Sequence, residues 1–555
     1  MRVSGKGLIN REKLVNFKFD GKDYKGFEGD TVASALLASG KKLFGRSFKY
    51  HRPRGVLTAG SEEPNALVTV GQGAFQDPNI RATTQEIFEG LITKSQNNWP
   101  NLHYDILSTN DLFSNFLGAG FYYKTFMWPK SFWEKLYEPF IRRAAGLGAL
   151  SGLHNSDTYE KAYAFCDLLV IGGGPSGLMA AKIAAEAGLD VIIAEQEPIF
   201  GGRLISETED VDGMPGGIWA AETIKNLNEL NNVRVLSRTT VTGAYDQGTF
   251  GAVERVGHHL PDRGGDRPLE CFWRIVAKHS ILAAGAIERS IAFPNNDRPG
   301  IMAASAVRTY LNRFGVSTGK SVALFCNNNT AHNTAKDLLD SGIDVAAIID
   351  TREDSKTDLD VPFYNGAEVS NTSGRHGLKS IVVRNSNTET AIEVDCLAVS
   401  GGWNPTVHLT CHMNARPVWD EKIHSFVPKI GAIPNMAVVG AANGFMDTNM
   451  CFASAEKEVR LILKAFGKAT KSKKLPKVEM TKYEIAPKWL VEGKGRAWLD
   501  YQNDVTVKDI QQAVRENFKS VEHMKRYTTQ GMAIDQGKNS NVASLAILAD
   551  ATGQG

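Results

Sequence analysis

The sequence predicts a multidomain chain of mixed α/β and α+β class, on three observations. At 555 residues it is too long for one core and corresponds to about three or four domains of roughly 100–200 residues each. Two stretches, 166–204 and 319–350, each read as apolar strand, turn, helix and second apolar strand closing on an acid. The ends carry other patterns, with short alternating strands around Asp20-Gly21 at the front and amphipathic helices from about 506 onward at the back.

The totals exclude several function classes. Formal charge is +2 and the basic residues are dispersed, apart from a lysine-bearing run at 464–477 that reads as a solvated linker, so no nucleic-acid surface is expected. The opening residues, MRVSGKGLINREKLVNF, hold no long apolar run. No stretch reaches the ~18 uninterrupted apolar residues of a membrane span, so no membrane association and a cytoplasmic location are expected. Six widely spaced cysteines form no C-x-x-C pair and read as reduced core residues, with no metal site.

Residues 1–97 fit a β-grasp module. Alternating segments flank the Asp20-Gly21 hairpin turn, and a helix begins near Asp30 or Thr31. The module resembles the plant-type ferredoxin-like domain at the front of several flavin dehydrogenases, but the loop after its helix lacks the cysteines an iron–sulfur cluster needs. There, Arg46, Lys49, His51, Arg52 and Arg54 form a cationic loop that either meets a phosphate or a partner's acids, or pairs internally with Glu62 and Glu63. Residues 98–160 form an aromatic helical connector. A helix can start at Asn110-Asp111, Pro129 interrupts, and 132–143 has helical spacing. That ring surface packs either across domains of its own chain or on another subunit or a cofactor ring.

Residues 161–305 and 406–466 read as one discontinuous Rossmann-like domain. A buried strand from Asp167 to Ile171 enters Gly172, Gly174 and Gly177. Gly172 permits the tight turn, Gly174 lets a pyrophosphate approach, and Gly177 lets the helix pack on the strand. Glu195, twenty-one residues after Gly174, suits a ribose diol. Pro175, Ser176, Gln196, Gly202, Arg203, Ala284, Gly285, Gly440 and Asn443 complete the candidate dinucleotide contacts, and Asn449 is a further one. A polar hairpin is expected at 257–269. Residues 306–405 repeat the plan without glycines: Asn327, Asn328 and Asn329 would crowd a pyrophosphate, so this second Rossmann-like domain is expected to be empty, with His332 a surface or capping residue. A linker spans 467–490.

Residues 491–555 read as a helical domain with helices at roughly 506–516 and 520–526, a glycine turn and another helix. It resembles the small helical two-iron ferredoxin-type domain that follows such reductase folds. Asp500, Gln502, Asn503, Asp535 and Gln536 stand near the positions where thiolates would. Lys525, Arg526, Thr528, Thr529 and Lys538 either hold a phosphate or are plain surface charge.

With GRSFKYHRPRGVLTAGSEEPNA, AGFYYKTFMWP, GGGPSGL and YQNDVTVKDI through VEHMKRYTTQGMAIDQGK all in order, the chain resembles the alpha subunits of heterotetrameric sarcosine oxidase over nearly its whole length. The resemblance implies a two-dinucleotide, disulfide-reductase-like core between cluster-less ferredoxin-like modules. It implies beta, gamma and delta partners, and oxidation of sarcosine by oxygen to glycine and hydrogen peroxide with the one-carbon unit passing to tetrahydrofolate. It also implies NAD at Gly172, Gly174, Gly177 and Glu195, although the residues alone equally permit FAD, and FMN shared with the beta subunit, for whose phosphate Lys525 to Thr529 is the candidate. The family's alpha chain continues into a folate-binding aminomethyltransferase-like domain, so the expectation is either a fragment or a separate folate module. No nucleophile–base set is found and no catalytic residue is assigned. Two other readings stay open: a self-contained FAD amine dehydrogenase or NAD(P)H reductase, and an assembly scaffold with a structural dinucleotide.

Overall fold

The computed structural model describes all residues except 126, 145, 263–266, 387, 470–473, 481 and 555, and the side chains of 122, 123, 143 and 144. Two compact units divide the chain: Met1–Asn155, Glu288–Gly402 and Ala486–Gly555 form one, and Ser156–Ile287 and Trp403–Ile485 the other. No described helix is long and apolar enough to cross a membrane.

In the first unit, Asn10–Phe19 and Lys22–Glu28 pair antiparallel around Asp20 and Gly21, both at positive φ, as a two-residue hairpin requires. They join Leu91–Ser95, Leu67–Val70 and Asp77–Arg81 in a five-stranded sheet. Helix Val32–Ala38 starts at a Thr31–Ser34 capping box, beside the expected position. Five parallel strands make a second sheet, in the order Ile301–Ala303, Cys396–Ser400, Ser321–Cys326, Asp344–Asp350 and Phe363–Asn365. Phe17, Phe19, Leu36, Tyr310, Leu311 and Leu324 share one core, so the front module and this sheet are stabilised together.

Two boundaries differ from expectation. Residues 288–305 belong with the second parallel sheet, not the glycine-bearing one, because Ile301–Ala303 pairs along Leu397–Val399. At the other edge that segment of the unit ends at Gly402 rather than 405. In the connector, the 3-10 helix Ile106–Phe116 starts at Asp105, whose carboxylate accepts the Leu107 N–H, and not at Asn110-Asp111. A π-turn at Trp133–Tyr137 and the helix Glu138–Ala144 follow Pro129. The tail has helices Val507–Arg515, Val521–Thr528 and Asn541–Thr552 around Ile510, Met524 and Ile547.

The second unit is built on two thirteen-residue strands, Tyr159–Ile171 and Glu270–Leu282, parallel in register from Tyr159↔Glu270 to Ile171↔Leu282. The first starts well before Asp167 because Tyr159–Phe165 finds this partner. Val191–Ala194 and Val233–Leu236 extend the sheet on one side, Thr249–Arg255 and Thr239–Tyr245 on the other, and Met436–Val438 adds to Glu270–Leu282. The expected hairpin at 257–269 lies partly outside the described residues. Helices Pro175–Glu186 and Thr448–Ala465 cover the sheet with Leu178, Phe452 and Val459 in its core.

Candidate dinucleotide-binding site

Strand Tyr159–Ile171 ends in the turn 172–174, and helix Pro175–Glu186 starts immediately after it. Each glycine answers to a different neighbour. Gly172 has φ +104°, and a Cβ there would sit 2.4 Å from the Ala283 carbonyl oxygen. A Cβ on Gly177 would sit 1.9 Å from the Gly172 carbonyl oxygen, so helix and turn touch backbone to backbone. Gly174 differs: its added Cβ would meet nothing closer than the Gly202 Cα at 3.9 Å. Packing does not demand glycine there, and the open space is what a pyrophosphate backbone approach requires. Gly174 is also the N-cap, with no side chain capping the helix and Pro175 at its first position, so first-turn N–H groups and the positive end of the dipole face that space.

Glu195 is buried across this turn, its carboxylate accepting the Gly173 N–H at 2.6 Å and the Glu197 N–H at 2.9 Å. These bonds fix the acid beside the glycine turn, where the ribose of a dinucleotide would lie. Gly173 escaped the sequence reading. It donates to Glu195, and a Cβ there would collide with the Phe200 ring at 2.3 Å; the middle glycine of the GGG run is its signal. Gly202 faces Gly174 across the cradle, its hypothetical Cβ 2.9 Å from the Gly174 Cα. Ala284 follows Ala283 along the Gly172 edge, with its Cα 3.3 Å from the Gly172 Cβ position, and Gly285 accepts the Thr406 N–H.

Other candidates have their side chains engaged elsewhere. The Ser176 hydroxyl donates to the Cys451 carbonyl at 3.2 Å, which leaves its backbone N–H as the group facing the cradle. Gly440 is a packing glycine under that residue, since a Cβ would lie 2.1 Å from the Ser176 Oγ. Arg203 donates to Glu207 and to the Met446 carbonyl, while Gln196 is exposed and its backbone carbonyl accepts from Arg255. Asn443 lines another space, a groove of about 660 Å³ with Met436, Met450, Ser454 and Lys457, to which none of the glycines above contributes. Asn449 exchanges two hydrogen bonds with the Val478 backbone, which corrects its expected reach to a ligand.

In the first unit, the turn that lacks glycines is filled from within. Asn327 and Asn328 are fully buried, and the Asn328 amide donates to the Ser400 hydroxyl at 2.9 Å while its oxygen accepts from Thr330. Ser400 in turn donates to Glu288. Burial pushes the Glu288 carboxyl up to about 7, against the pull of its Ser400 and Ser305 donors. Asp350, at the end of its strand, is gripped by Arg352 and by His332 Nε2 at 3.1 Å, so His332 is an internal partner and not a surface or capping residue. Cys326, His332 and Asp350 place a thiol, an imidazole and a carboxylate within 4.8 Å of one another, with that carboxylate already held by Arg352.

The cationic loop pairs internally, but with other acids than Glu62 and Glu63. Arg52 binds Asp297 and Asp111, and Arg54 lies between Asp297 and Asp504. Burial alone would push the Asp297 carboxyl up, yet Arg54 and Arg52 outweigh it and hold it well below the usual carboxylate range. His51 pairs with Asp105 at 2.7 Å, and Arg46 donates to the Leu102 and His103 carbonyls. Glu63 instead accepts the N–H groups of Leu57, Thr58, Asn65 and Ala66.

In the tail, the loops compared with cluster ligands are tied by hydrogen bonds. Asp535 N–H donates to Gln502 at 3.0 Å, Gly531 N–H to Asp500 at 2.8 Å, and Asn503 to the Thr529 carbonyl at 2.8 Å. A cavity of about 380 Å³ beside them is lined by Arg46, Asn65, Tyr501, Gln502 and Met532, and by none of Lys525, Arg526, Thr528 or Thr529. Arg526 pairs with Glu522 on the surface, Thr528 donates to the Met524 carbonyl, and Thr529 to the Thr528 carbonyl.

Comparison with known proteins sharpens this geometry. Residues 494–555 match the model of the sarcosine oxidase A3 domain, 12–98 that of a 2Fe-2S iron-sulfur cluster binding domain, and 167–254 that of an FAD dependent oxidoreductase. The stretch 12–98 contains no cysteine, so its residues do not fit a cluster held by thiolates. Residues 167–254 include the cradle, whose open space at Gly174 fits a dinucleotide cofactor. Sarcosine oxidase subunit alpha of Rhizobium meliloti (strain 1021) is 47% identical over 557 residues, covering 100% of this chain and 56% of that protein. The same subunit of Corynebacterium sp. (strain U-96) is 34% identical, covering 98% and 54%. The chain thus spans about half the length of the curated relatives it matches. Among solved structures, L-proline dehydrogenase from P. horikoshii has the same fold, with a TM-score of 0.71 at 19% identity over 100% of this chain and 95% of that one.

Proposed function

Since the chain belongs along its whole length to the family of sarcosine oxidase alpha subunits, we propose that it is the dinucleotide-carrying subunit of a complex that oxidises sarcosine. In this reading NAD occupies the cradle from Gly172 to Glu195, and the chain contributes to an FMN site shared with a beta subunit, with gamma and delta subunits completing a cytoplasmic complex. The complex converts sarcosine, oxygen and water to glycine, formaldehyde and hydrogen peroxide, or hands the one-carbon unit to tetrahydrofolate bound elsewhere in the assembly. The observation that carries the reading is Gly174, a glycine that its own fold leaves free and a bound pyrophosphate needs.

This chain's residues bind and orient; none of those described around the cradle forms a nucleophile–base pair. The cradle's donors are backbone N–H groups, its acid is fixed by Gly173 and Glu197, and Gly202 closes the opposite wall. Mass spectrometry of small molecules released on denaturing the purified chain tests this. NAD is expected at about one per chain, with no sarcosine-dependent oxygen uptake by the chain alone. A second reading, FAD in the same cradle and a self-contained dehydrogenase, is favoured by the FAD dependent oxidoreductase match at 167–254. A yellow, NADH-reducible isolated chain would establish that reading and overturn ours.

A further inference from the structure

Between Met127 and Arg142 no described side chain is buried. This stretch contains the π-turn and helix at 133–144, and isolated helices shorter than ~12–15 residues are marginal in water unless an apolar face is packed. The apolar face exists. Phe132, Leu136 and Phe140 recur every four residues with Trp133 beside them, and they are 45%, 53%, 67% and 37% exposed; Trp128 just before them is 83% exposed. Meanwhile the flanks are pinned to their unit: Ala119 N–H donates to Asp509 and Tyr50 to the Leu117 carbonyl on one side, and Gly148 N–H to Asn79 on the other. The segment is a held loop that offers its apolar stripe outward.

We propose that residues 127–142 are an arm that seats in an apolar groove of a different subunit of the complex, a proposal that rests on the subunit reading above. Anchors at four-residue spacing are how helices are read by grooves. Six large apolar side chains, Met127 included, at roughly 100 Å² each offer about 600 Å², close to the ~800 Å² that one partner contributes to a standard protein interface and far beyond what a small ligand covers. The same stretch carries Lys130, Lys135 and Arg142 with Glu134 and Glu138, a net charge of only +1 and not the strongly basic face by which helices lie on anionic membranes.

The test is reconstitution of the full chain with its beta, gamma and delta subunits, comparing wild type with the double variant Leu136→Asp/Phe140→Asp. The variant is expected to assemble at least ten-fold more weakly, while the isolated chain keeps its Tm and bound dinucleotide, because both side chains are more than half exposed and neither belongs to a core of its own unit. In wild type, amide exchange over 127–142 should slow on assembly. Assembly equal to wild type would overturn the proposal and leave the subunit reading standing. So would a lowered Tm of the isolated variant, a wild-type homodimer by light scattering that the variant abolishes, or variant-sensitive binding of the isolated chain to phosphatidylglycerol vesicles. A wild-type chain that joins none of the three subunits removes the subunit reading itself, and this arm's role with it.

Discussion

Gly174 and Gly177 stand three residues apart and answer to opposite constraints. Gly177→Ala forces a Cβ against the Gly172 carbonyl and is expected to cost roughly 3 kcal/mol or more in stability, seen as a lower Tm with or without ligand. Gly174→Ala meets no such clash, so it should leave the ligand-free unfolding free energy within about 1 kcal/mol of wild type while lowering retained dinucleotide at least ten-fold. Glu288 supplies a pH test. Its folded pKa is raised by burial to about 7 from an ordinary value near 4.5, so its stabilising contribution is complete below about pH 4.5 and is lost as pH rises through 7. Glu288→Gln should flatten that dependence, recovering of order 1–3 kcal/mol relative to wild type at pH 8.5, measured by denaturant unfolding across pH.

At the scale of elements, the sequence is most readable where one residue type has one physical use. Asp20-Gly21, the Thr31 cap, the glycine turn and the tail helices follow from φ, capping and periodicity, and stand where those considerations put them. The partners of the cationic loop were not readable, because Asp297 and Asp504 lie hundreds of residues away and their pairing depends on tertiary packing. The early start of Tyr159–Ile171 has the same origin: an exposed, mixed-polarity segment becomes strand only because Glu270–Val276 lies alongside. Asp504 also accepts the Lys49 and Tyr50 N–H groups, so Asp504→Ala would leave Arg54 buried beside a lost partner. A loss of about 3–5 kcal/mol is expected, read as a lower denaturation midpoint.

For the whole molecule, residues 12–98 match a 2Fe-2S cluster binding domain and yet hold no cysteine, and residues 494–555 hold none either. Metal analysis of the purified chain should therefore find less than about 0.1 iron per chain, since neither 12–98 nor 494–555 contains a thiolate donor. The ion network of Arg52, Arg54, Asp297 and Asp504 has a further consequence, in time. Asp504 follows Arg54 by 450 residues, and at about 5–20 residues per second the ribosome takes on the order of 20–90 s to deliver it. Throughout that interval the newly made front module carries a guanidinium destined for burial without its second counter-charge. Its completion during synthesis is therefore set by the arrival of the tail.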